Sequence, residues 1–341
     1  MSAADDTVNP AASTAPGFGP ARLVPPLAAL GALALAALVV AVAVGSVAIP
    51  PAEVWAVLSG EGSSLHRTLI LELRAPRGLA AFAVGGLLAV AGALMQVLLR
   101  NPLADPYVLG LSGGAAVGAL GAMLAGLGTV LVSGSAFAGA LASTVLVFGL
   151  AHGTGSWTPT RLLLTGVVVA SGWGAVITFL LAVGPTDRLP GMLYWLMGDM
   201  AYAQGPGTAL ITLGAACLLV VPLGRSLNVL ARGPLQAAAL GVPVRALEWS
   251  VYAVASLITA IAVTTAGSIG FVGLVVPHML RLVLGNDQRL ILPAAALAGG
   301  ALLTFADTLA RTLIAPEQLP VGVITALLGV PTFLVLLYRT R

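Results

Sequence analysis

Residues 73–115 read LRAPRGLAAFAVGGLLAVAGALMQVLLRNPLADPYVLGLSGGA, and this stretch decides how the rest of the chain is interpreted. Its first apolar run, residues 78–99, has about the length that a helix needs to cross a bilayer. The polar residues 100–106 include two prolines and end this run, because proline cannot continue a helix. A second apolar run rich in small residues follows at once, and small residues let membrane helices pack closely. The stretch therefore predicts two membrane spans that meet at a tight turn.

The composition of the whole chain is that of an integral membrane protein. Of its 341 residues, 59% are hydrophobic and only 8% are charged, and the mean hydropathy is +1.04. Soluble proteins carry about 25% charged residues. All 15 basic residues are arginines, the net charge is only +3, and no basic run suggests a nucleic-acid partner. The single cysteine, Cys217, lies in an apolar run and is interpreted as a small buried side chain.

Hydropathy predicts an all-α protein with ten transmembrane helices in one domain, residues 27–341, after a disordered cytoplasmic tail, residues 1–26. Short helices at the membrane surface are predicted at residues 53–58 and within 185–204. Residues 224–245 are too polar to span and predict one or two short helices outside the lipid. The predicted spans are residues 27–49, 78–99, the apolar run after 106, 134–150, 162–183, 208–223, 247–266, 268–284, 290–309 and 320–338.

The arginines predict the orientation of these spans. With ten spans, ten arginines fall on the side of the termini and five on the other side. The positive-inside rule then places both termini in the cytoplasm. The five arginines on the opposite side are Arg67, Arg74, Arg77, Arg188 and Arg311.

Four motifs in the opening stretch resemble the iron-siderophore and cobalamin permease family of ABC importers. They are Arg-x-Pro-Arg at residues 74–77, Gly-x-Leu-Ala-x-x-Gly-x-x-x-Gln at 86–96, Arg-Asn-Pro-Leu-Ala-x-Pro at 100–106 and Gly-x-Ser-x-Gly-Ala at 110–115. Residues 267–281 match as well, and the resemblance covers nearly all of the chain after residue 50. It implies a type II ABC importer permease fold in the cytoplasmic (inner) membrane of a bacterium. It also implies a bulky cargo, an iron-siderophore or a similar metal chelate or cofactor.

The resemblance further implies partners and the residues that meet them. A second permease copy, identical or related, would complete the pathway, and separate ATPase subunits would bind about residues 224–245. An extracytoplasmic binding protein would dock on Arg74, Arg77 and Arg311, although arginines at span ends also anchor in lipid headgroups. The family usually has acidic residues in the coupling segment, and this chain has none there, which leaves a plain amphipathic loop as the alternative. The coupling residues implied are Arg232, Gly233, Pro234, Gln236, Ala237, Leu240 and Gly241.

A further set of motif residues is assigned to the pathway or to helix packing. His278 and Arg281 share one helix face, where they form part of a gate or tie the helix end to Asp287 or a lipid phosphate. Asp307, an acid inside an apolar run, is expected to pair with Arg311 four residues later. The full set is Gln96, Asn101, Pro102, Gly110, Ser112, Gly113, Pro277 and His278.

Several function classes are excluded or weakened by what the sequence lacks. The chain has no Gly-x-x-x-x-Gly-Lys-Ser/Thr motif and no lysine, so it is not expected to hydrolyse nucleotides or to act as an enzyme. It has no Cys/His cluster, so neither a metal site nor a cofactor is predicted. Two alternatives remain: an ion-coupled secondary transporter that uses Asp307, and an intramembrane serine protease that uses Ser112 and His278.

Overall fold

The computed structural model describes residues 20–45, 47–152, 158–203 and 205–339, and within these ranges the chain is helical and has no strand. A π-helical segment, Thr68–Arg74, joins α3 to α4, and 3-10 turns at Pro106–Leu109 and Met200–Tyr202 precede α5 and α9. The helices are α1 (Pro20–Ala43), α2 (Pro51–Ser59), α3 (Ser64–Arg67), α4 (Ala75–Leu98), α5 (Leu111–Leu124), α6 (Thr129–His152), α7 (Pro159–Val183), α8 (Leu189–Met197), α9 (Gly207–Val220), α10 (Gly224–Leu230), α11 (Pro234–Ala239), α12 (Val244–Ala266), α13 (Val272–Leu284), α14 (Gln288–Thr312) and α15 (Val321–Arg339).

Each predicted span coincides with one apolar helix, but the helices differ in length. Among the described residues, α1, α4, α6, α7, α12 and α14 are long and apolar enough to cross a membrane. The pair α9 and α10, bent by 68°, makes a seventh candidate, whereas α5, α13 and α15 are shorter. The all-α membrane fold is therefore confirmed, and the count of ten spans stays a prediction. Short helices are also found where surface helices were predicted, as α2 and α8, and their position at a membrane surface stays a prediction. Residues 224–245 contain the two short helices α10 and α11.

Three predicted boundaries are wrong. Helix α1 begins at Pro20, inside the predicted tail, and ends at Ala43 instead of residue 49; residues 1–19 lie outside the described residues, so their disorder stays a prediction. The span predicted from residue 268 begins only at Val272, because Gly267 and Phe271 have φ angles of 70° and 69°, which are incompatible with a right-handed helix. The third wrong boundary is the start of the span predicted from residue 78, because the helix begins well before that residue.

That third case is the opening stretch itself, in which the helix runs unbroken from Ser64 to Leu98 through Pro76. A proline inside a helix lacks the N–H for the usual bond and clashes with the carbonyl four residues earlier. Here the preceding turn widens to a π-helix, and the N–H of Ala75 donates to the carbonyl oxygen of Ile70. The proline is thus accommodated without a break, and it places Arg74 and Arg77 on one continuous helix.

Helix α4 is the centre of the bundle, and α14, α12, α13, α9 and α1 pack around it. Two glycine pairs allow α4 to approach α13 and α14 closely. A Cβ atom at Gly92 would overlap the backbone of Gly273 in α13, and one at Gly85 would overlap the backbone of Gly299 in α14. Small residues at such crossings are typical of helix packing in membranes. Helices α5, α6 and α7 form a second group beside this core.

Candidate functional site

One cavity of about 520 Å³ lies at the end of the bundle where α4 begins and α14 ends. Arg74, Arg77 and Arg311, which come from distant parts of the sequence, all line it, together with the exposed acid Glu72. The structure therefore brings the three predicted docking arginines together. It also buries Arg74 and Arg311, which are only 6% and 5% exposed. An arginine that flanks Pro76 at the start of a span is expected to reach water, and for Arg74 this expectation is wrong.

Asp307 is the acid that neutralises this cluster. Its side chain is 1% exposed. Arg77 of α4 donates three hydrogen bonds to this carboxylate: its Nε lies 3.0 Å from Oδ1 and 3.2 Å from Oδ2, and its Nη2 lies 2.9 Å from Oδ1. Arg311 lies on the other side, with Nε 3.1 Å from Oδ2, so the predicted pair four residues apart is confirmed. One buried carboxylate thus holds two guanidinium groups and ties α4 to α14.

The remaining polar contacts differ between Arg74 and Arg77. Arg74 donates from Nη1 to the carbonyl oxygens of Val42 and Ala43, at 3.1 and 3.0 Å, and from Nη2 to that of Val47, so it closes the end of α1. Arg77 donates from Nη1 to the amide oxygen of Gln318 at 2.8 Å, and its side chain is 16% exposed. Of the three arginines, Arg77 therefore has the contact that a partner can most readily exchange.

Asp199, in the turn after α8, completes the charge network. One of its carboxylate oxygens lies 3.8 Å from Nη2 of Arg77. Burial raises the pKa of Asp199 above its ordinary value, and the nearby Arg77 only partly offsets this. Neither Asp199 nor Gln318 was singled out from the sequence, because nothing in their local spacing indicates a contact with α4.

At the opposite end of the bundle, Arg281 and Gln96 tie α13 to α4. Arg281 donates to the side-chain oxygen of Gln96 and, at 3.3 Å, to the carbonyl oxygen of Ala93. Gln96 in turn donates to the carbonyl oxygen of Leu274 at 3.2 Å. The predicted link from this helix face to Asp287 is wrong, because Arg281 bonds to Gln96 and Ala93 instead. His278, which is 9% exposed, is buried inside the helix bundle.

Asp287 instead holds the coupling segment against α14. It accepts from Nε and Nη2 of Arg289 and, at 2.9 Å, from the amide of Asn228 in α10. The oxygen of Asn228 accepts from the backbone N–H of Gln288 at 2.7 Å. Burial raises the pKa of Asp287, but the hydrogen bonds from Arg289 and Asn228 outweigh it, so the pKa is lowered. No local pattern indicates Asn228, since its partners lie about sixty residues away along the chain.

The predicted coupling residues form a hairpin of two short helices. Gly233, with φ at 123°, and Gly241, with φ at 77°, bracket α11, which Pro234 begins. Ala237 is buried against the bundle, whereas Arg232, Gln236 and Leu240 are exposed. Leu235 and Leu240 are 86% and 70% exposed, so the hairpin presents two apolar side chains outward.

Most of the remaining predicted residues lie in or near the turn between α4 and α5, and Pro277 lies in α13. The side-chain oxygen of Asn101 accepts a hydrogen bond from the backbone N–H of Leu103 at 2.9 Å. Pro102, between these two residues, is exposed. Gly110 has a φ of 67°, and its carbonyl oxygen accepts from Ser143 at 2.8 Å. A Cβ atom at Gly113 would meet Trp173. Pro277 is buried inside α13.

The structure does not support the two alternative mechanisms. Asp307 is held by two arginines, so it is not an available carrier of coupling ions. Among the described residues, no hydrogen bond joins Ser112 to His278, although a nucleophile and its base must touch. Within the described ranges, no group of three or more His, Cys, Asp or Glu residues could hold a metal ion.

Comparisons with known proteins agree on one family. The FecCD transport family matches residues 33–339. The cobalamin import permease BtuC of Halobacterium salinarum is 44% identical over 80% of this chain and 73% of its own length. The hemin transport permease HmuU of Yersinia pestis is 42% identical over 80% and 83%. The vitamin B12 import permease BtuC of Escherichia coli O9:H4 is 37% identical over 92% and 95%.

A solved structure supports the same assignment at the level of the fold. A metal-chelate type ABC transporter in an inward-facing conformation superposes with a TM-score of 0.81 at 28% identity, covering 92% of this chain and 98% of that one. The chain belongs to the FecCD transport family, and it is a multi-pass permease subunit of an ABC importer, with ATP hydrolysis on a separate subunit.

Proposed function

We propose that this permease moves a metal-bound tetrapyrrole, of the cobalamin or hemin class, across the cytoplasmic membrane of a bacterium, with both termini in the cytoplasm. The observation that carries this is the identity of 37–44% to permeases named for cobalamin, vitamin B12 and hemin. None of these relatives is named for a siderophore, so the expected iron-siderophore cargo becomes the second candidate.

The binding protein is proposed to dock at the cavity that the three arginines line. Its acidic side chain would replace Gln318 on Nη1 of Arg77, because a carboxylate forms a stronger, charge-assisted bond with a guanidinium than a neutral amide does. Arg74 and Arg311, both buried, would support this surface by holding α1 and α14 in place. Charge pairs of this kind set docking register and rate more than affinity.

The ATPase subunit is proposed to receive the α10–α11 hairpin. Two exposed leucines, one in α11 and one just after its end, are suited to an apolar groove, and the hydrogen bond from Asn228 to Asp287 would transmit a displacement of the hairpin to α14. The double variant Leu235→Ser/Leu240→Ser should lose co-purification with the cognate ATPase. Leu313→Ser, at an exposed leucine at the other end of the bundle, is the matched control. Unchanged co-purification of the double variant would remove the hairpin as the main contact.

A second permease copy, identical or related, is proposed to pack against α7. Along this helix only Leu162 and Gly166 are buried among the described residues. Its exposed positions include the small residues Ser171, Gly172 and Gly174, which permit close helix approach. Crosslinking of cysteine at position 172 between copies, after replacement of Cys217, would test this contact.

The cargo is tested by ATP-driven uptake into proteoliposomes that contain the permease, its ATPase and its binding protein. Cyanocobalamin, hemin and ferrichrome are offered separately at equal concentration. Uptake of one of the two tetrapyrroles and not of ferrichrome supports the proposal. Uptake of ferrichrome alone would reverse the order of the two candidates.

A further inference from the structure

A polar cavity of about 570 Å³ lies where the C-terminal end of α4 meets α10 and the turn between α13 and α14. Three arginines line it: Arg100, Arg232 and Arg281. The acid on its wall, Asp287, is already held by Arg289 and Asn228. The cavity therefore has an excess of positive charge, which attracts an anion.

Two of these arginines are available to a ligand. The side chains of Arg100 and Arg232 are exposed, and neither guanidinium group forms a hydrogen bond or an ion pair with a described residue. Glu248 interacts with Arg100 only at longer range. Arg281 is fixed against α4 by its bond to Gln96. Guanidinium groups bind phosphate oxygens through paired hydrogen bonds, so phosphate is the anion that best fits three converging arginines.

Gln288 indicates a second feature of the ligand. It lines the same cavity and is 2% exposed, and its side-chain oxygen has no hydrogen-bond donor among the described residues. A buried acceptor without a donor is destabilising. A ligand that carries a hydroxyl group next to its phosphate would supply that donor.

An apolar groove adjoins the polar cavity. It has a volume of about 430 Å³ and lies between α1, α13 and α14, with Leu30, Leu280 and Leu302 on its walls. A third cavity, of about 400 Å³, lies next to both: it shares the lining residue Val283 with the groove and Asn286 with the polar cavity. Residues 290–302 of α14 border this path over about 18 Å, at 1.5 Å per residue. One leaflet of a bilayer has a hydrocarbon depth of about 15 Å.

We propose that these adjacent cavities bind one anionic phospholipid whose headgroup carries hydroxyl groups, as that of phosphatidylglycerol does. Its phosphate lies beside Arg100, Arg232 and Arg281, a headgroup hydroxyl donates to Gln288, and an acyl chain occupies the groove. Anionic lipids of the cytoplasmic leaflet are attracted to arginines at this level. The lipid then connects α4, α10, α13 and α14 at the base of the coupling hairpin.

The first test measures lipid binding to the purified permease by native mass spectrometry. Phosphatidylglycerol should bind more tightly than phosphatidylcholine. The double variant Arg100→Ala/Arg232→Ala should weaken phosphatidylglycerol binding by more than about fivefold, since a single arginine near an anionic lipid is already worth about that much. Arg225→Ala, an exposed arginine of α10 outside the cavity lining, should bind as the wild type does. Equal binding of the two lipids, or equal loss in the control, would overturn the proposal.

The second test separates a lipid phosphate from free phosphate. Val283→Trp places a large side chain in the groove at an exposed position, so it should block the acyl chain without disturbing the bundle. The Val283→Trp variant should therefore lose the preference for phosphatidylglycerol over phosphatidylcholine. In a separate measurement on the wild type, inorganic phosphate should not raise the melting temperature beyond that of a chloride control of equal ionic strength. If Val283→Trp keeps the preference, or inorganic phosphate stabilises the protein through Arg100 and Arg232, the lipid assignment is wrong.

Discussion

Replacing Asp307 with Asn should destabilise the permease strongly. The side chain keeps its size, so no cavity forms, but the carboxylate that accepts three bonds from Arg77 and pairs with Arg311 is lost. The amide also turns a donor toward the guanidinium groups. Breaking a buried ion pair on one side costs about 3–5 kcal/mol. At roughly 2 °C per kcal/mol for a large chain, the melting temperature should fall by on the order of 5–10 °C.

The assay for this substitution is thermal unfolding in detergent, followed by size-exclusion chromatography with fluorescence detection. Asp187→Asn is the matched control, because Asp187 is an exposed acid on the same predicted side. It should melt within about 1 °C of the wild type, since exposed charges contribute little. An Asp307→Asn protein as stable as this control would refute the view that Asp307 neutralises Arg77 and the buried Arg311.

Three further predictions use the same purified protein. Arg74→Gln should lose about 1–3 kcal/mol, because carbonyl oxygens at the end of α1 lose their donor, and Arg74→Lys should not restore the melting temperature, since lysine lacks the guanidinium fork. Gly92→Ala should abolish the monodisperse chromatography peak, because a Cβ atom there overlaps the backbone of α13, whereas Gly121→Ala, in open space, should not; equal behaviour would contradict the packing. The pKa of Asp287 is lowered in the folded protein, so its stabilisation is present above the unfolded value of about 4 and is lost as the pH falls through the folded pKa. Asp287→Asn should therefore melt at a lower temperature than the wild type at pH 7, and this difference should shrink as the pH falls below about 4. A difference that stays constant as the pH falls would contradict this prediction.

Local patterns in the sequence were sufficient for the helices and for one ion pair. The turn after α4 follows from its prolines, and the pair of Asp307 with Arg311 follows from helical spacing of four residues. The polar character of residues 185–204 and 224–245 also predicted short helices there, and the structure has α8, α10 and α11 in these segments. These features depend on neighbours along the chain, which sequence patterns record directly.

Features that depend on distant partners could not be predicted in this way. The helix continues through Pro76 because the turn before it widens, a backbone adjustment that no residue type indicates. Arg74 is buried because the end of α1, about thirty residues earlier, folds back over it. Arg77 meets Asp307 across 230 residues, and Asn228 meets Asp287 across 59. Only the folded bundle brings these groups together.

The central claim is that this chain is the membrane pathway of an importer driven by a separate ATPase, and energisation of uptake tests it most directly. Proteoliposomes with the permease, its ATPase and its binding protein are loaded with ATP, and cargo uptake is compared with that of liposomes holding the permease alone under a proton or sodium gradient. The account predicts uptake only with ATP and the complete complex, and none with a non-hydrolysable analogue. Gradient-driven uptake by the permease alone would contradict it.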